Sequence, residues 1–246
     1  MTMPIEGSRP DKAPGRRRHL HLLREGEVGA APLAESEARR ALNVLVALIG
    51  ILLTFPLWIL IAIAVKLTSR GPIFYDQTRI GLDQRGTGIQ NNDPRRKQDL
   101  GGRPFRIYKF RTMAIDAEHG TGPVWAARND ARVTRLGRVL RQYRLDELPQ
   151  LINVLKGDMN VVGPRPERPT IVANLRETIP NYQSRHRVRP GITGHAQVNL
   201  HYDACLDDVK RKIGYDLEYL NRQGFWADVK IMAQTIPVML FRRGAH

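Results

Sequence analysis

From Ala41 to Val65 the chain carries no charged residue, and no other stretch of it is apolar for as long. As a helix this run would reach roughly 37 Å, enough to match a hydrocarbon core of about 30 Å. Pro56 falls inside it, directly after Phe55. A proline in a helix interior lacks an amide donor and bends the helix. Basic residues flank both ends: Arg24, Arg39 and Arg40 before, Lys66, Arg70, Arg79 and Arg85 after. Lys and Arg favour the cytoplasmic side, so a straight span would strand one basic flank on the wrong face. A helix that bends at Pro56 and leaves by the face it came in would keep both flanks cytoplasmic. The pattern leaves both topologies open.

On either side the pattern changes. Residues 1–37 are rich in Pro, Gly, Arg and Ala without apolar periodicity, which predicts a polar, basic, disordered tail carrying Arg16-Arg17-Arg18. After the apolar run, Gly71-Pro72 opens a short strand through Ile80, and residues 83–102 form a polar, glycine-rich loop. Phe105 to Met113 alternates apolar and basic positions, as a strand with a cationic face would. Lys109 and Arg111 lie on it, either solvated or facing an anionic ligand. Asn129 or Asp130 can cap a helix on which Val133, Leu136, Leu140 and Tyr143 share a face, with Arg135, Arg138 and Arg141 on the other sides. Leu148, Leu151, Ile152 and Leu155 mark a second, shorter helix with Pro149 in its first turn. From Tyr202 the pattern is amphipathic and helical. It ends in an apolar, aromatic and basic segment, Phe225 to Arg243, that suits an interfacial helix or one packed on the core.

Charge sharpens the picture. The formal net charge is +15, of which the first forty residues contribute only +2. The excess therefore lies beyond the apolar run and calls for an anionic partner. Between Arg95 and Arg144 there are thirteen basic and four acidic residues, too few carboxylates to neutralise them internally. The single cysteine, Cys205, excludes an internal disulfide and reads as a bystander. Walker A, dinucleotide-glycine and paired-cysteine zinc signatures are all missing, which leaves the usual nucleotide and zinc folds unsupported.

Asp146-Glu147 stands between the arginine-rich helix and the short apolar one. As a helix cap this pair would satisfy free amides, worth about 0.5–2 kcal/mol. With Arg141 and Arg144 just before it, Asp146 is expected to stay ionised with a lowered pKa, and an ionised aspartate can attack phosphorus. A diphosphate can approach two carboxylates only if cations intervene, which arginines and a carboxylate-bound Mg²⁺ would provide. Gly163-Pro164-Arg165-Pro166 restricts the backbone around one arginine and suits bidentate phosphate recognition. Arg185-His186-Arg187-Val188-Arg189-Pro190-Gly191 repeats the theme of basic residues leading into a turn.

Taken together, these blocks resemble the bacterial sugar transferase family, the small monotopic polyprenyl-phosphate phosphoglycosyl transferases. The matching blocks are Gly71 to Tyr75, Phe105 to Met113, Leu145 to Gln150, Asn153 to Met159, Val162 to Pro166 and Arg189 to Gln197. The resemblance implies an α+β, mainly helical enzyme of the bacterial inner membrane. Residues 38–66 would form a re-entrant helix broken at Pro56, and residues 67–246 a cytoplasmic catalytic domain ending in an interfacial helix. The implied reaction moves a sugar-1-phosphate from a nucleotide sugar, usually a UDP-sugar, to undecaprenyl phosphate with Mg²⁺, and initiates surface or exopolysaccharide assembly. It implies Asp146 as nucleophile, Glu147 as its partner in metal or proton handling, and Lys109, Arg111, Arg141 and Arg165 around the phosphates. Membrane lipids and the two substrates are the implied partners, a homodimer is compatible, and nucleic acid is not among them. Two features depart from the family pattern: Phe55-Pro56 stands where Ser-Pro is common, and the 83–102 loop is long. A non-catalytic scaffold for polysaccharide assembly and a membrane-tethered nucleic-acid binder are the competing readings. The second lacks a recognised nucleic-acid motif.

Overall fold

Ser36 accepts a hydrogen bond from the Arg39 amide and starts α1, Glu37–Thr68, in the computed structural model. The structure describes residues 31–84, 99–115, 117, 130–200 and 206–240. Most of the tail and of the 83–102 loop, Asn129, Tyr202, Cys205 and the stretch from Phe241 lie outside these.

The apolar run is one helix of 32 residues with Pro56 inside it. Thr54 Oγ1 donates back to the Gly50 carbonyl and receives the Trp58 indole N–H, so a run of side-chain hydrogen bonds passes Pro56 on this helix. One face of α1 is buried along its whole length, through Arg39, Asn43 and Ala47 before Pro56 and Trp58, Ile61 and Val65 after it. The other face leaves Leu45, Leu48, Leu52, Leu53, Phe55, Leu60 and Ile63 exposed. Among the described residues this is the one helix long and apolar enough to cross a membrane, and it fits a membrane anchor.

Polar ties fix the start of α1. Arg39 is buried and donates to Asp228 (2.9 Å), Tyr219 (2.8 Å) and Gln223 (2.6 Å). Arg40 donates to the Val154 and Leu155 carbonyls in the last turn of α3, Gln150–Lys156. At the far end Arg111 donates to the backbone and hydroxyl oxygens of Ser69, the C-cap of α1.

Two strands, β1 (Phe74–Ile80) and β2 (Pro104–Phe110), pair antiparallel with Tyr75 opposite Lys109. Phe110 stacks on Phe74 and meets Trp58 edge-on, joining this hairpin to the second half of α1. Asn153 of α3 accepts from the Tyr108 amide and donates to the Arg106 carbonyl, so one helical amide takes the place of a third strand. A second, parallel pair joins β3 (Asn160–Val162) to β4 (Gly191–Thr193). Helices α4 (Pro169–Thr178), α5 (His195–Asn199), α6 (Leu206–Arg222) and α7 (Phe225–Leu240) close around the main core. Asp228 and Ile231 pack α7 inward while Trp226 and Ile236 stay exposed, so the segment docks on the core and keeps an outward apolar face. The α+β, mainly helical architecture expected from the sequence is therefore present.

Helix α2 (Arg135–Gln142) starts later than the sequence pattern suggests. Its cap is Thr134, whose hydroxyl accepts from the Gly137 amide, and not Asn129 or Asp130. Asp130 instead accepts from Arg132, and Val133 bridges to Met113 before the helix begins. Gly137 lies against the Thr112 carbonyl so closely that a side chain there would overlap it, which sets α2 directly over the end of β2.

Candidate active site

Helix α2 ends at Gln142, and Arg144 then adopts a left-handed backbone with φ 54°. For a residue with a side chain this conformation costs about 1 kcal/mol. It turns the chain into a single 3-10 turn, Leu145–Glu147, that buries Asp146 and Glu147 together ahead of Pro149, the N-cap of α3. In the sequence Arg144 stands out only as a flanking charge. Its strained backbone shapes the acidic turn.

Glu147 gathers cations from three elements. Lys109 Nζ on β2 lies 2.9 Å from Oε1. Arg165 places Nη2 at 2.6 Å from Oε1 and Nη1 at 3.5 Å from Oε2. Arg144 stands 4.0 Å from Oε2. Burial alone would raise this carboxyl, but Arg165, Lys109 and Arg144 outweigh it and hold Glu147 well below the usual carboxylate range. Arg165 is raised in turn, chiefly by Glu147.

Asp146 is the opposite case. Among the described residues no group donates a hydrogen bond to its carboxylate, yet neither oxygen is sealed from solvent. Burial is the largest influence and raises its pKa. Lys109, Arg141 and Arg165 pull the other way without reversing it. Two expectations are corrected here. Asp146 caps no helix: the N-cap of α3 is Pro149, and no side chain caps it. Nor is its pKa lowered, because the nearby guanidiniums bond to Glu147 and Thr112 while Asp146 bears the desolvation.

Arg141 donates Nε to Thr112 Oγ1 at 2.9 Å, and no described residue bonds its two terminal nitrogens. They remain able to meet an external anion. Lys109, Arg141 and Arg165 thus surround the acidic pair. Arg111 does not join them, because its guanidinium is buried and bonded to Ser69 at the end of α1. Pro56 lies within α1 and has no polar contact with the pair. The arginines of the second basic motif also face elsewhere. Arg185 pairs with Asp216, Arg187 donates to Ala31, and Arg189 donates to Gly157 and Glu35. Thr112, which orients Arg141, had no signal in the sequence beyond lying at the end of the basic strand.

A buried acidic pair ringed by cations beside a long apolar helix invites comparison with proteins that handle phosphates at membranes. The sequence profile of the bacterial sugar transferases matches residues 34–242. The chain belongs to that family. It is 41% identical over 228 residues to a UDP-N-acetylgalactosamine-undecaprenyl-phosphate N-acetylgalactosaminephosphotransferase of Aeromonas hydrophila, covering 93% of this chain and 49% of the relative. It is 39% identical over 230 residues to a UDP-glucose:undecaprenyl-phosphate glucose-1-phosphate transferase of Caulobacter vibrioides, covering 92% and 78%. Over 209 residues it is 33% identical to the exopolysaccharide production protein PSS of Rhizobium leguminosarum, covering 83% and 96%. Against several of these curated relatives the chain spans half of their length or less, 49% and 38% in two cases.

Proposed function

We propose that this chain is a membrane-bound phosphoglycosyl transferase that moves a sugar-1-phosphate from a UDP-sugar to undecaprenyl phosphate, through a phosphosugar ester of Asp146. The carrying observation is the division within the acidic pair: Glu147 is held by three cations, and no described residue donates to the Asp146 carboxylate. A carboxylate left without donors is more basic once ionised and is the better nucleophile of the two. The relatives named for undecaprenyl-phosphate sugar transfer support the substrate class.

In the first step an Asp146 oxygen attacks the sugar-bearing phosphorus. The P–O bond to the nucleoside monophosphate breaks, and the monophosphate leaves with the bond's electron pair. In the second step an oxygen of the lipid phosphate attacks the same phosphorus and the acyl-phosphate bond breaks. This regenerates Asp146 and yields a lipid-linked sugar diphosphate. Arg141, Arg165 and Lys109 place positive charge where the diphosphate must sit, and Glu147 fixes the last two in position. The residues also fit a Mg²⁺ ion, which takes one or two carboxylates and several phosphate oxygens. Asp146 offers free oxygens, and Glu147 offers Oε2, whose nearest donors are 3.5 and 4.0 Å away. Bound there, the ion would neutralise the charge of the diphosphate.

The anchor follows from the same reading. Both ends of α1 are tied to one domain, through Arg39 at the start and through Arg111 at Ser69, so a straight crossing would have to put parts of that domain on opposite faces of the membrane. A re-entrant path bent at Pro56 keeps both ends, and the catalytic domain, on the cytoplasmic face of the inner membrane. There the product would start a surface polysaccharide or related glycan. A panel of UDP-sugars, each supplied with undecaprenyl phosphate and Mg²⁺, tests the function by release of UMP. One or a few sugars should give release that Asp146→Asn abolishes. No release with any sugar, or full release by Asp146→Asn, would refute it.

A further inference from the structure

Pro164, Arg165, Pro166 and Glu167 each have their carbonyl bound by a different donor. Gly191 N reaches Pro164 O at 3.0 Å, and Ile80 N reaches Glu167 O at 3.0 Å. Arg185 Nη2 reaches Arg165 O at 2.8 Å, and Arg79 Nη1 reaches Pro166 O at 3.2 Å. Two of these four donors are backbone amides and two are arginine side chains, drawn from β1, from β4 and from the 3-10 segment Tyr182–Arg187. The prolines already restrict φ, and the carbonyl ties remove most of what rotation remains.

The tie on Arg165 itself is the most deeply built. Arg185 is 2% exposed and Asp216 on α6 is 2% exposed. Arg185 Nε and Nη2 lie 2.9 and 2.8 Å from Asp216 Oδ2, and Nη1 donates to the Tyr182 hydroxyl at 3.2 Å. One guanidinium therefore joins α6, Tyr182 and the Arg165 carbonyl, which only a planar fork of donors can do at once. It does not touch Asp146 or Glu147. What it reaches is the peptide from which Arg165 extends to Glu147 at 2.6 Å.

We infer that Arg185, held by Asp216, is a positioning residue for the transfer reaction: it fixes the Arg165 peptide so that the Arg165 guanidinium meets Glu147 and the substrate phosphates in one orientation. The inference rests on the catalytic reading of the acidic pair given above. Leverage explains why a remote hydrogen bond matters. A rotation of about 10° at the Arg165 Cα displaces its guanidinium by roughly 1 Å, and a misplacement of that size can cost about 10²-fold in rate. The second basic motif of the sequence thus acts on phosphate at one remove, through Arg165.

The test is a double-mutant cycle on the full chain in liposomes containing undecaprenyl phosphate, using the UDP-sugar most active in the panel above and reading kcat by UMP release. Arg185→Lys keeps the charge on Asp216 but loses the fork, and should lower kcat about ten- to hundredfold with a thermal midpoint close to wild type. In an Arg165→Lys background, where the oriented guanidinium is already gone, the same change should cost less than about threefold. A general loss of packing would scale both backgrounds alike. An equal drop in both backgrounds, or wild-type turnover by Arg185→Lys, would overturn the proposal while leaving the catalytic reading intact. Unchanged turnover by Arg165→Lys alone would instead overturn the role of Arg165, and this proposal with it. If Arg185→Lys does not fold, the paired Arg185→Met, Asp216→Leu variant removes both charges together and must show the same coupling.

Discussion

Asp146 and Glu147 are adjacent in the chain and electrostatic opposites: Lys109, Arg144 and Arg165 converge on Glu147, and none of them bonds to Asp146. Because burial raises the Asp146 pKa, its ionised form is a burden on the folded state. Asp146→Asn should therefore leave the thermal midpoint unchanged or higher while turnover is lost. A scan of the purified variant in detergent, beside an activity assay, checks both halves. A clear drop in midpoint would show that the carboxylate has a structural partner after all.

Glu147→Gln should behave differently. It leaves Arg165 and Lys109 facing a neutral amide in a buried site, and breaking such a cluster from one side costs about 3–5 kcal/mol. Chemical denaturation should show that loss together with lost activity, whereas Asp146→Asn shows the second without the first. Equal stability of the two variants would refute the division of roles.

The pH profile carries a signed expectation. Asp146 must be ionised to attack, so activity is present above its folded pKa and disappears as pH falls through it. That pKa is raised from the model-compound value of 3.8. The acid limb of kcat/KM should accordingly lie above the ordinary aspartate range. A limb at or below 3.8 would contradict the environment described for Asp146.

Glu167 predicts an acid effect on stability rather than on rate. Burial opposes its ionisation, but Lys212, Arg185 and Arg79 hold its pKa down from 4.5 to about 2. A depressed carboxyl stabilises the fold above the unfolded value, and that contribution is lost as pH falls from 4.5 towards about 2. Thermal midpoints measured across that window should fall in the wild type and flatten in Glu167→Gln. Parallel curves would remove Glu167 from the acid response.

What the sequence revealed of this site follows a physical boundary. Lys109 and Arg165, which bond Glu147, carry local signals in the sequence, one on an alternating strand and the other between two prolines. The Phe74–Ile80 strand and the long helix were legible for the same reason. Alternation leaves Arg111 either solvated or facing a ligand, and it cannot show that Ser69, 42 positions away, takes its guanidinium at the end of α1. The cap expected at Asp146 does not form because the left-handed turn at Arg144, which depends on packing, starts a 3-10 turn that holds the acidic pair ahead of α3. The parallel pairing of Asn160–Val162 with Gly191–Thr193 left no periodic trace in two three-residue strands.

The path of α1 is testable by labelling. In a Cys205→Ser background, single cysteines at Ala31 and Thr78, both exposed, should be shielded alike from a membrane-impermeant maleimide applied to intact cells. Reaction at Ala31→Cys alone would establish a full crossing.

Withholding the lipid acceptor should trap the phosphosugar on Asp146. The purified chain is mixed with a UDP-sugar labelled in the sugar and with Mg²⁺, quenched, digested and mapped by mass spectrometry. Up to one equivalent of UMP should be released and a phosphosugar found on the peptide holding Asp146, discharged on adding undecaprenyl phosphate and missing from Asp146→Asn. UMP release that strictly requires the lipid, with no adduct on that peptide, would contradict a phosphosugar carried on Asp146.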